Sequence, residues 1–214
     1  LKKGQKISIH LDKGFHLYPS NVFKKLKKND QLEVGFDGLI LKILKTGESS
    51  ILSQCIQAGS LEKNKGVHLS NRKVRLNYLT EKDLEAIKVG KKYNIENYAL
   101  SFTNSVSDVI KFSKLLPNEK KINKIETSQA LNNFKLLSKI SNEFLIDRGD
   151  LSKEITIEKI PYAQRLIFKR KKSKNNIYIA TNLLESMIEK PFPTRAEAND
   201  IYNAIEMGAA GLVL

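Results

Sequence analysis

At 214 residues the chain is long enough for one large domain or two small ones, and its 41% hydrophobic and 28% charged residues exclude wholesale disorder. No apolar run reaches the roughly 18–20 residues that a membrane-spanning helix needs, so that class of membrane protein is excluded and no membrane partner is expected. A net charge of +14 favours anionic partners, but the basic residues are scattered as Lys24-Lys25, Lys27-Lys28, Lys63, Lys65, Lys120-Lys121 and Lys169-Arg170-Lys171-Lys172, without zinc-finger spacing or tryptophan, so nucleic acid is not the expected partner.

The first third reads as β-structure. Lys6–Leu11, Leu32–Phe36, Leu39–Leu44 and Ile51–Ile56 carry aliphatic residues at alternating or continuous positions, the pattern of short strands. Asp37-Gly38 between two of these runs signals a hairpin, and Thr46-Gly47 and Ala58-Gly59-Ser60 mark further turns. The expected product is a small all-β domain, a barrel or sandwich, over residues 1–72. Cys55 lies in one of its strands as the chain's single cysteine, which excludes an internal disulfide and fits a reducing, cytoplasmic compartment. His10, His16 and His68 lack ligand spacing, so no zinc site is expected.

Beyond Lys73 the hydrophobic period changes. Thr80 with Asp83 forms a capping box for a helix ending at Gly90, and a strand at Tyr98–Phe102 follows. Ser105 to Asp108 opens a helix through Leu116. A strand is expected at Lys121–Glu126, a helix at Gln129–Ile140, a strand at Glu143–Asp147, a helix at Glu158–Lys172 and a strand at Asn176–Thr181. Thr194 with Glu197 caps a last helix to Met207, before the apolar run Ala210–Leu214. Strands alternating with helices at this spacing predict βα units on a parallel sheet over residues 73–214. Five such strands against the eight of a closed barrel make the expected fold class α/β, a partial (β/α)8 TIM-type barrel with an inserted all-β domain. The chain begins at Leu1 without a methionine and reads as a piece of a longer protein.

Residues suited to chemistry cluster at strand ends. A strand period of two puts Lys124 and Glu126 on one face. Asp150 follows the next strand in the loop Asp147-Arg148-Gly149-Asp150, and Thr181 closes the strand after that. An ammonium, two carboxylates and a hydroxyl then share one rim. Carboxylates suit Mg²⁺, and the lysine suits stabilisation of a transferring phosphoryl group or an enolate. A buried Lys–Glu pair with an aspartate cap is the alternative.

Lys124-Ile125-Glu126, Arg148-Gly149-Asp150-Leu151, Glu154-Ile155 and Ala163-Gln164 resemble pyruvate kinase in order and spacing. Ala180-Thr181, Leu184-Glu185-Ser186-Met187-Ile188 and Lys190-Pro191-Phe192-Pro193-Thr194-Arg195-Ala196-Glu197 continue the likeness. Asp37-Gly38-Leu39, Gly59-Ser60-Leu61 and Lys65-Gly66-Val67 look like the lid domain inserted in that family's barrel.

The resemblance implies glycolytic phosphate transfer from phosphoenolpyruvate to ADP, giving pyruvate and ATP. It implies Lys124 and Thr181 as catalytic residues and Arg148, Gly149, Asp150 and Thr181 as substrate-binding residues, mainly through backbone amides. Glu126 and Asp150 become ligands of Mg²⁺ or Mn²⁺, while K⁺ takes ligands outside this chain. It also implies a homo-oligomer at full length, with barrel strands before Leu1 and further segments after Leu214. The sequence departs from the family pattern at several positions: Asp147 stands where alanine is usual, Ser152 for glycine, Asn182 for glutamine, and Asn64 for a lysine. The alternative is a non-catalytic relative that binds an anionic metabolite or a partner protein.

Overall fold

A computed structural model describes every residue except Phe36 and Arg75. The chain divides into two compact units, Leu1–Thr80 and Glu81–Leu214.

The first unit is built on β1 (Lys6–His10), β2 (Gln31–Val34), β3 (Leu39–Lys45), β4 (Ser50–Gln57) and β5 (Val67–Leu69). Where a small barrel or sandwich is expected, these strands hydrogen-bond as one antiparallel sheet in the order β1-β4-β3-β2-β5. Alternation dictates which face is buried. Leu39, Leu41 and Ile43 on β3 and Ile51 and Cys55 on β4 are at most 1% exposed, and with Ile9, Leu32 and Val34 they form the core. The hairpin between β2 and β3 uses Gly38 at φ +79°, a conformation that glycine adopts without a Cβ penalty. The expected end of the second strand, Phe36, lies outside the described residues. A half-buried ion pair ties the segment after β5 to the turn before β2: Arg72 donates from Nε to Asp30 Oδ1 at 2.7 Å and from Nη2 to Asp30 Oδ2 at 2.6 Å. Asp30 is 2% exposed and also accepts from the Lys27 amide. Burial opposes its charge, but these partners outweigh that and hold its carboxyl below the ordinary value.

In the second unit α1 (Glu81–Lys92), β6 (Asn97–Leu100), α2 (Val106–Leu115), β7 (Lys120–Ile125), α3 (Ser128–Ile140) and β8 (Glu143–Asp147) alternate. They continue into α4 (Arg148–Glu154), α5 (Ile160–Arg170), β9 (Asn176–Ala180), α6 (Arg195–Glu206) and β10 (Gly211–Val213). The five strands are all parallel and lie side by side in chain order, β6-β7-β8-β9-β10. Ser105 and Thr194 cap α2 and α6 with reciprocal capping boxes through Asp108 and Glu197. Ile125, Phe144, Ile146, Ile177 and Ile179 point from one sheet face into a core with Phe134 and Leu137 of α3 and Ala163 and Ile167 of α5. Phe134 and Phe144 meet edge to face, with ring centroids 5.1 Å apart.

One expectation is corrected here. Residues 148–150 form no loop: α4 starts directly after β8, because the Asp147 side chain accepts from the Asp150 amide and so caps a helix that Gly149 alone would discourage.

Candidate active site

Register brings the reactive groups level. Ile125 pairs with Ile146, so Glu126 and Asp147 follow side by side, and Asp147 in turn pairs with Ala180. Lys124, Glu126, Asp147 and Thr181 therefore converge at the C-terminal ends of β7, β8 and β9, and Asp150 joins them from the first turn of α4.

Lys124 lies at the centre of this group. Its Nζ is 2.5 Å from Glu126 Oε1 and 2.9 Å from Asp147 Oδ2. Burial works against the ammonium, but the two carboxylates outweigh it and hold its pKa above the ordinary lysine value. Glu126 is fully buried, and its other oxygen accepts from the Phe102 amide. Desolvation dominates there and pushes the carboxyl upward, against the pull of Lys124 and the Phe102 amide. Oxygens of Glu126, Asp147 and Asp150 lie within 4.8 Å of one another. A compact all-oxygen, carboxylate-rich donor set fits Mg²⁺ or Mn²⁺.

Thr181 sits at φ +69°, which is rare for a β-branched residue and is held by its surroundings. Its hydroxyl accepts from the Gly149 amide at 2.8 Å and lies 3.5 Å from Asp147 Oδ1. Its carbonyl accepts from Arg148 Nη2 at 2.6 Å and Nε at 3.1 Å. Arg148, 8% exposed, also donates to the Asn182 carbonyl and pairs with Asp200 at 2.6 Å. Its guanidinium is thus committed to holding the Thr181 turn, and a ligand could use only its backbone.

Of the residues singled out by sequence, Lys124, Glu126, Gly149, Asp150 and Thr181 come together, and the Arg148 side chain turns away. Sequence reasoning noted Asp147 only as a departure that adds negative charge beside the site, not as a partner of Lys124, and left the Phe102 amide out. Period two along Glu143–Asp147, which puts Asp147 on the face of Leu145 away from Phe144 and Ile146, was the available signal for the first. No signal announced the second, which depends on the loop after β6 approaching β7.

The family model described as "Pyruvate kinase, barrel domain" matches residues 2–214. The chain belongs to the pyruvate kinase family. It is 36% identical over 200 residues to pyruvate kinase of Thermotoga maritima, covering 91% of this chain and 43% of that protein. Against the cytosolic isozyme of Solanum tuberosum it is 35% identical, covering 100% of this chain and 45% of the relative. With the Clostridium perfringens enzyme identity is 34%, over 83% of this chain and 39% of the relative. The chain thus spans less than half the length of these relatives. Among the described residues no helix is long and apolar enough to cross a membrane.

Proposed function

We propose that this chain carries part of a pyruvate-kinase-type phosphotransferase site, with residues 1–72 corresponding to the lid domain and 73–214 to the later part of the (β/α)8 barrel. The substrates are phosphoenolpyruvate and ADP. The phosphorus–oxygen bond to the enol oxygen breaks, a bond to the terminal phosphate oxygen of ADP forms, and the enolate carbon takes a proton to give pyruvate. One observation carries this reading: a lysine ammonium held between two carboxylates at the strand ends, with a third carboxylate beside it.

Lys124 meets the negative charge that develops on the transferring phosphoryl group and the enolate oxygen. It is preorganised by Glu126 and Asp147, so little reorganisation is required when that charge appears. Glu126 and Asp150 would hold Mg²⁺ or Mn²⁺, whose positive charge would neutralise charge on substrate oxygens. The amides of Arg148, Gly149 and Asp150 and the Thr181 hydroxyl bind the substrate carboxylate. Thr181 passes a proton toward the enolate carbon through water. Potassium is assigned no ligand in this chain.

A second reading, a non-catalytic relative that binds an anionic metabolite or a partner protein, is favoured by the extra negative charge of Asp147 in the site. A coupled assay of pyruvate formation with Mg²⁺ and K⁺ separates the two. Turnover that is lost in Lys124→Met supports the phosphotransferase, and so does Mn²⁺ binding, measured by calorimetry, that is lost in Asp150→Ala; no Mn²⁺ binding at all favours the second reading.

A further inference from the structure

The donors assigned above to a substrate anion already have an anion among them, and it belongs to the chain. Asp147 Oδ2 is 2.9 Å from Lys124 Nζ. Asp147 Oδ1 lies 3.5 Å from the Asp150 amide nitrogen and 3.5 Å from Thr181 Oγ1. The Gly149 amide, in turn, is occupied by Thr181 Oγ1 at 2.8 Å. Asp147 thus shares the Lys124 ammonium with Glu126 and borders the Asp150 amide and the Thr181 hydroxyl, whose own proton goes to the Ala180 carbonyl at 2.6 Å.

We propose that Asp147 is a specificity-determining residue, an internal carboxylate that occupies the anion subsite and lowers the affinity of the site for phosphoenolpyruvate. The inference rests on the phosphotransferase reading of the same site. Its physical basis is that two anions cannot share one set of donors without repulsion, and screening is weak here because Asp147 is only 8% exposed. The placement is built in by the fold. As the last residue of β8, paired with Ala180 and aligned beside Glu126, Asp147 faces Lys124 and cannot turn toward bulk water without breaking the cap on α4.

Phosphoenolpyruvate is titrated calorimetrically into the full chain with saturating Mn²⁺, for wild type, Asp147→Ala and Asp147→Asn. Mn²⁺ binding alone is measured by electron paramagnetic resonance, with Asp150→Asn as its control, and folding by circular dichroism. Asparagine keeps the helix cap and removes the charge, so it guards against a folding defect in the alanine variant. Both substitutions are expected to tighten phosphoenolpyruvate binding at least tenfold, a gain that loss of a merely structural residue does not produce. Unchanged or weaker binding in the folded variants overturns the inference. If Mn²⁺ still binds to wild type and is lost in Asp150→Asn, the phosphotransferase reading survives that result. If no protein binds Mn²⁺ or phosphoenolpyruvate, both fall.

Discussion

The two faces of the parallel sheet are built from the same strands and serve opposite ends. One face presents Ile125, Phe144, Ile146, Ile177 and Ile179, all 0% exposed, to the helices. The other presents Lys124, Leu145, Asp147 and Tyr178, and it gathers three carboxylates around one ammonium at its C-terminal rim. Adjacent residues on β7 therefore do different work: Ile125 contributes burial of apolar area, while the cost of burying the Lys124 ammonium is outweighed by carboxylates that the same backbone brings close. The lesson is that stability and chemistry are separated here by a single residue step, the half-period of a strand.

This contrast can be broken most severely on the helix-covered face. Phe144→Ala removes one partner of the edge-to-face pair from a site with no exposure, and is expected to cost about 3–5 kcal/mol in urea unfolding. A loss below about 1 kcal/mol would mean that this face does not dominate stability.

Lys124→Met tests the rim. It leaves fully buried Glu126 and nearby Asp147 without their shared cation, and should cost about 3 kcal/mol of stability in urea unfolding. Retained stability would show that the rim is less strictly electrostatic than its distances imply.

A smaller effect is expected at the turn behind the rim. Arg148→Met withdraws the charged donors that hold the Thr181 and Asn182 carbonyls, and should cost about 2 kcal/mol. Thr181 is then free to leave its positive φ, so Mn²⁺-dependent phosphoenolpyruvate binding, where the proposed site is intact, should weaken by more than stability alone accounts for.

The mildest change sharpens the comparison by moving off the sheet to α6. Glu197 accepts from the Ser186 amide and hydroxyl and from Thr194, which hold its carboxyl at about 2. Its folded-state pKa lies below the ordinary 4.5, so its contribution to stability is present above that value and is lost as pH falls toward about 2. Glu197→Gln should flatten the pH dependence of the unfolding midpoint in that window while leaving the midpoint's response above pH 6 unchanged in shape. An unaltered acid limb would remove Glu197 from the acid sensitivity of this unit.

Much of this architecture was legible without coordinates, for local reasons. The capping boxes at Ser105 and Thr194, the alternating β/α periods and the Asp37-Gly38 hairpin signal depend on residues a few positions apart, and apart from β5 and α4, which were not expected, the strands and helices lie within a few residues of where those signals put them. Arg72 falls within the 1–72 span expected for the first domain, and what ties it there is Asp30, a partner 42 residues away; the compact unit runs on to Thr80. Helix α4 was missed because Gly149 reads as a breaker, while the cap that offsets it sits on the preceding strand residue.

For the site the division is similar. Period and order along the chain already put Lys124 and Glu126 on one face and set Asp150 and Thr181 at the ends of the following strands. What only the tertiary structure decided was that Asp147 shares Lys124 with Glu126, that the Phe102 amide reaches Glu126, and that the Arg148 guanidinium is spent on the Thr181 turn. The physical reason is range. Propensity and periodicity act over one turn or one pleat, whereas the pairing of charges depends on strand register and burial, which exist only once distant segments have packed.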